Sequence, residues 1–204
     1  MKRMLLSTAA FLALMGYSEA ADLEAAPSVW EGPYAGLNAG YAAIPTELEF
    51  SLGDETAHPL TLGLQAGYNA QWDNLVLGVE GDFNGLFGDE IDMIYAGGKD
   101  TYIADYEWFG TLRARAGYAA DATLLYITAG AAFLGMDTHV VGLDISDTET
   151  LKGWTVGAGA EMKFSDSLSG KLEYLYADFG TEQPIEADHD ASMHVIRAGL
   201  NYHF

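Results

Sequence analysis

The chain has 204 residues, 30 of them acidic and 9 basic, giving a formal net charge of −21 at pH 7. So large an excess of acid excludes nucleic acid as a partner, because affinity for phosphates comes from Lys and Arg. The absence of cysteine excludes a disulfide framework and any thiolate metal site, while 12% aromatic residues and 24 glycines argue against an acidic disordered chain.

Residues 1–20 have the layout of a secretory signal. Lys2 and Arg3 precede the apolar run Met4–Met15, and Ser18-Glu19-Ala20 supplies the cleavage site. The run is too short to cross a hydrocarbon core of roughly 30 Å. Residues 21–29 read as a tether.

From there the pattern has period two, as strands require. Trp30–Tyr41 reads as a first strand, followed by a long loop over residues 42–59. Leu60–Trp72 sends Leu60, Leu62, Leu64, Ala66, Tyr68 and Ala70 one way and Gln65, Asn69 and Gln71 the other. Asp73-Asn74 makes a tight turn, and Leu75–Phe87 follows with Glu80 and Asp82 on its polar face. Residues 88–103 form a second long loop. Asp105–Tyr118 puts Tyr106, Trp108, Leu112 and Tyr118 on one face and Glu107, Phe109, Arg113 and Arg115 on the other.

After a short turn, Thr123–Leu134 alternates again, and residues 135–150 read as an acidic loop. Leu151–Phe164 carries Glu161 and Lys163 opposite Trp154, Val156 and Met162. A turn at Ser165–Ser167 leads to Leu168–Asp178, with Lys171 and Glu173 opposite Leu172 and Tyr174. Residues 181–190 form the last acidic loop. Ala191–Phe204 then closes with Arg197 opposite Ile196, Leu200, Tyr202 and Phe204.

Long and short connections therefore alternate along eight strands, as in an up-and-down transmembrane barrel with short periplasmic turns. The charges choose between a membrane barrel and a soluble one. Arg113, Arg115, Lys163, Lys171 and Arg197, together with Glu80, Asp82, Glu107, Glu161 and Glu173, all fall opposite the aliphatic and aromatic face of their own strand. A membrane barrel turns its apolar face to lipid and its polar face to the lumen. The fold expected is all-β, an eight-stranded antiparallel up-and-down transmembrane β-barrel, with these ten residues as a lumen charge network. Eight strands leave room only for side chains, and buried charges survive only when partnered. Arg113, Arg115 and Arg197 are expected to pair with Glu80, Asp82, Glu161 or Glu173 across neighbouring strands.

Several stretches resemble the small outer-membrane β-barrel proteins of alphaproteobacteria, the porin-family surface antigens related in fold to the OmpA transmembrane domain. They are Trp30-Glu-Gly-Pro-Tyr-Ala-Gly, Gln65-Ala-Gly-Tyr-Asn-Ala-Gln71, Gly78-Val-Glu-Gly-Asp82, Trp108-Phe-Gly-Thr-Leu-Arg-Ala-Arg-Ala-Gly-Tyr118, Glu173-Tyr-Leu-Tyr-Ala-Asp178 and Gly199-Leu-Asn-Tyr-His-Phe204. The resemblance implies location in the outer membrane of a Gram-negative bacterium, among lipid and lipopolysaccharide. It also implies that Tyr202 and Phe204 form the terminal signal read by the barrel assembly machinery. The function expected is a structural barrel with surface-exposed acidic loops, supporting envelope integrity and surface interactions. A narrow porin for small solutes is the first alternative, and a receptor for hemin or a host ligand acting through the loops is the second. His58, His139, His189 and His194, with Ser192, match no catalytic spacing, so no enzymatic activity and no resident cofactor or metal are expected. Asp188-His189-Asp190 is the best local group of ligand-type side chains.

Overall fold

The structure, a computed structural model, describes residues 29–46, 55–88, 91–93, 102–140, 146–180 and 192–204. The expected signal and tether lie outside the described residues, apart from Val29, as do most of the expected acidic loops. Eight strands form the barrel: β1 Gly32–Thr46, β2 Leu60–Trp72, β3 Leu75–Phe87, β4 Tyr102–Ala120, β5 Thr123–Val140, β6 Ser146–Lys163, β7 Leu168–Asp178 and β8 Ser192–His203. Each pairs antiparallel with its neighbour in the chain. The sheet closes because β8 also pairs with β1, with Leu37 opposite Leu200 and Tyr34 opposite His203. Short segments Glu55–Ala57 and Ile91–Met93 add to the far ends of β1 and β4.

The start of β1, the end of β8 and the three tight turns lie at one end of the barrel, here the turn end; the strand ends joined by the longer connections lie at the other, the loop end. Asp73 and Asp121 take left-handed φ values of 52° and 50° in two of those turns, which a short polar side chain tolerates. The thirteen residues of β3 give about 40 Å of strand, or about 30 Å of height at a tilt near 40°. That matches the thickness of a membrane's hydrocarbon core.

The outward face is apolar from end to end. Leu37, Leu64, Val79, Leu112, Ile127, Leu172 and Ile196 are all exposed across its middle. Trp72, Tyr118, Phe164 and Tyr202 ring the turn end, and Tyr41, Phe87, Trp154 and Tyr174 the loop end. In water such a surface would be insoluble; it is the lipid-facing band and double aromatic girdle of a membrane barrel.

Four strands run past their expected limits, β1, β4, β5 and β6. β5 and β6 pair on to His139 opposite Ser146, although residues 135–150 read as a loop. A hairpin beyond the membrane is wet on both faces, so its sequence loses the period-two signal. β4 contains a bulge between Tyr106 and Trp108. The extra residue reverses the alternation. Tyr106, expected to face lipid, instead packs against the apolar cluster inside the barrel. Glu107, expected in the lumen, is exposed.

Candidate functional site in the lumen

The inward faces fill the barrel in three storeys. At the middle, four cations and four anions are buried together: Arg113, Arg115, Lys171 and Arg197 with Glu80, Asp82, Glu161 and Glu173. Strand register presets two of the pairs. Glu80 lies directly opposite Arg113 on β3 and β4, and Glu173 opposite Arg197 on β7 and β8.

Arg113 is the hub. Its guanidinium donates to Glu80, to Asp82 at 3.1 Å and to Glu173 at 2.9 Å. The remaining donors reach the hydroxyls of Thr111 at 2.9 Å and Thr128 at 3.0 Å. Arg197 grips Asp82 through both terminal nitrogens, at 3.0 and 3.1 Å, and donates from Nε to Glu173 at 2.7 Å. Lys171 donates to both oxygens of Glu80, at 2.9 and 3.0 Å. Arg115 pairs with Glu161 and lies 3.7 Å over the ring of Tyr126. Glu161 also accepts from Ser169 at 2.5 Å and Asn201 at 2.7 Å.

The pairing departs from expectation in one respect. Arg113 reaches from β4 to Glu173 on β7, and Arg197 from β8 to Asp82 on β3, so much of the network crosses the lumen rather than joining neighbouring strands. An eight-stranded lumen is narrow enough for an arginine to span.

Two predicted members stand outside the network. Glu107 is the exposed residue at the β4 bulge. Lys163, near the end of β6, lies 5.4 Å over the Trp30 ring and donates to the Asp166 carbonyl at 2.8 Å. Its strand ends at the barrel mouth, and among the described residues it forms no ion pair within 4 Å with the buried acids.

Neutral partners complete the storey and carry no charge by which the sequence would reveal them. The Tyr34 hydroxyl donates to Glu80 at 2.7 Å, and Gln65 donates to Asn201 at 2.5 Å. Tyr34 lies flat against Gly67, where any side chain would collide with its ring.

Above the charges, toward the loop end, the same strand faces turn apolar. Ala42, Ile44, Leu86, Phe109, Leu134, Leu175, Met193 and Val195 form a buried cluster. Phe179, just past β7, turns in to meet Phe109 edge-on at 6.3 Å. Gly153 permits that turn, because a side chain there would strike the Asp178 carbonyl. Below the charges, Trp30 packs with Val76, Ala119, Leu124 and Tyr126. A cleft of about 620 Å³, lined by Val29, Asn74, Lys163 and Phe164 among others, opens at that mouth. Trp30, fully buried, stands between this mouth and the charges.

The terminal residues are placed at the closing seam. Tyr202 faces outward with its ring 5.1 Å from that of Phe204, and Phe204 donates its N–H to the Pro33 carbonyl at 3.1 Å. Of the histidines considered for ligand binding, His58 stacks on Tyr41 at 5.4 Å and His194 bonds to Tyr174. His189, with its flanking aspartates, and the side chain of His139 lie outside the described residues. Among the described residues no three His, Asp or Glu side chains are grouped to hold a metal.

Comparison with known proteins agrees with this architecture. A family model for the outer membrane protein beta-barrel domain matches residues 7–204. The 31 kDa outer-membrane immunogenic protein of Brucella melitensis is 37% identical over 97% of this chain and 95% of its own length. The 25 kDa outer-membrane immunogenic protein of Brucella ovis is 32% identical over 90% and 83%, and the 22 kDa outer membrane protein of Rhizobium leguminosarum 37% identical over 74% and 64%. Among solved structures, Neisserial surface protein A superposes with a TM-score of 0.58 at 16% identity, over 85% of this chain and 98% of that one. The Yersinia pestis attachment invasion locus protein Ail, in complex with sucrose octasulfate, gives 0.52 at 16% identity, over 85% and 99%. The chain therefore belongs to the outer membrane protein beta-barrel family, and its strands cross the outer membrane of a Gram-negative bacterium.

Proposed function

We propose that this protein is a sealed structural barrel, supporting the envelope and presenting its acidic connections at the cell surface, rather than a porin or an enzyme. The observation that carries this reading is the filled lumen. Eight paired charges span the middle, an apolar cluster lies on the outer side, and Trp30 with its neighbours lies on the periplasmic side. A hydrated ion would have to displace an apolar layer, break ion pairs and pass a second apolar layer. Each buried pair broken leaves an uncompensated charge, at a cost of about 3–5 kcal/mol.

Tyr202 and Phe204 end the strand that closes the barrel, which supports their role as the signal read by the assembly machinery. Liposome swelling tests the sealed reading. Vesicles carrying folded protein should take up arabinose no faster than empty ones. Swelling that scales with protein content and falls with solute size would establish the porin instead.

A further inference from the structure

The two walls of the outer girdle differ. On β3, β4 and β5 the outward rings near the loop end are Phe83, Phe87, Trp108 and Phe133, with Phe83 stacked on Trp108 at 5.3 Å. On β6, β7, β8 and β1 they are Trp154, Tyr174, Tyr176, His194 and Tyr41. Trp154, Tyr176, His194 and Tyr174 lie in continuous contact over three strands. Trp154 is 5.5 Å from Tyr176, and Tyr176 is 5.1 Å from His194, its direct partner in register. Tyr174 lies two register positions further on, with its hydroxyl 2.7 Å from His194 Nδ1. When that hydroxyl donates, the neutral imidazole carries its proton on Nε2 and keeps it as a donor.

One cation joins this wall. Lys152 is exposed on the face of Trp154, two residues beyond it, or about 7 Å along the strand. Asp178 sits in register with Trp154. Its carboxylate accepts from the Tyr176 hydroxyl at 3.3 Å and the Gly180 N–H at 3.2 Å.

We propose that this wall is a docking site for the headgroup of an acidic outer-leaflet glycolipid. The sugar face stacks on Trp154 and Tyr176, its hydroxyls meet His194 and Tyr174, and its phosphate or carboxylate pairs with Lys152. Three features favour this occupant. The patch lies at the outer end of the lipid-facing surface, where the headgroups of the outer leaflet sit. Among the described side chains, rings bearing a hydroxyl or an imidazole occur at this wall and not at the Phe-rich one, whose one polar ring group is the Trp108 indole N–H, so apolar anchoring alone does not account for them. And a lysine at the rim of a chain with net charge −21 gives the patch local complementarity to an anion. The proposal depends on the outer-membrane location, not on whether the lumen conducts.

Native mass spectrometry of the folded protein in detergent tests it, with diphosphorylated lipid A, dephosphorylated lipid A and phosphatidylglycerol as probes. One tightly retained diphosphorylated lipid A is expected, weakened at least tenfold by Lys152→Ala and by Trp154→Leu, and unchanged by Phe87→Leu on the opposite wall. Removal of the phosphates should reproduce the Lys152→Ala loss. All three substitutions lie outside the lumen, so heat-modifiable migration should verify that each folds. Retention of phosphatidylglycerol as strong as that of lipid A, or equal losses from variants on both walls, would reduce the patch to a general aromatic girdle and overturn the proposal.

Discussion

The middle and outer storeys of the lumen stand on the same inward face of the same strands, yet one is ionic and the other apolar. On β4, Arg113 belongs to the first and Phe109 to the second; on β7, Glu173 and Leu175; on β8, Arg197 and Val195. Both fill the barrel, but by different physics. The outer storey needs only volume and excludes water. The middle storey needs each charge to meet its partners, which fixes strand register and closure. The outer storey strengthens the middle one, since ion pairs screened from water interact through a lower dielectric. Solubility in the lumen is therefore not what the charges provide.

Breaking one member of each storey should separate the two. Arg113→Ala leaves Glu80, Asp82 and Glu173 short of a partner and should have the largest effect, a loss of about 3–5 kcal/mol, read from urea unfolding in lipid vesicles. Added salt should change that loss little, because buried pairs are weakly screened. Phe109→Ala opens a cavity without stranding a charge and should cost about 3 kcal/mol in the same assay. Lys163→Ala removes a contact with Trp30 at the mouth and should cost under about 1 kcal/mol. Glu107→Gln should change stability by less than about 0.5 kcal/mol. A loss at Glu107 as large as that at Arg113 would return it to the network.

Glu107 also marks where the sequence ceases to be a guide. Side-chain facing is legible because strand alternation is strict, and eight of the ten expected charges do meet in the lumen. A bulge breaks that alternation without any composition signal, so the residues before Trp108 are read on the wrong face. Lys163 has the right facing but the wrong depth, since alternation gives side and not height. The pairing of Arg197 with Asp82 depends on closure between distant strands, which one strand's pattern does not contain. Neutral partners such as Tyr34 and Asn201 are hidden for a simpler reason: alternation gives the face they point to but not the acid or amide they bond. The apolar outer storey could have been seen, because Leu175 and Ala177 continue the face of Lys171 and Glu173.

Single-channel recording of the folded protein in a planar bilayer tests the sealed lumen most directly. With the lumen sealed, the membrane-inserted, heat-modifiable protein should give no reproducible conductance steps, both as wild type and when Phe179→Gly thins the outer storey while leaving the charges paired. Regular ohmic steps from the wild-type protein, with ion selectivity that changes on Glu80→Gln, would contradict it.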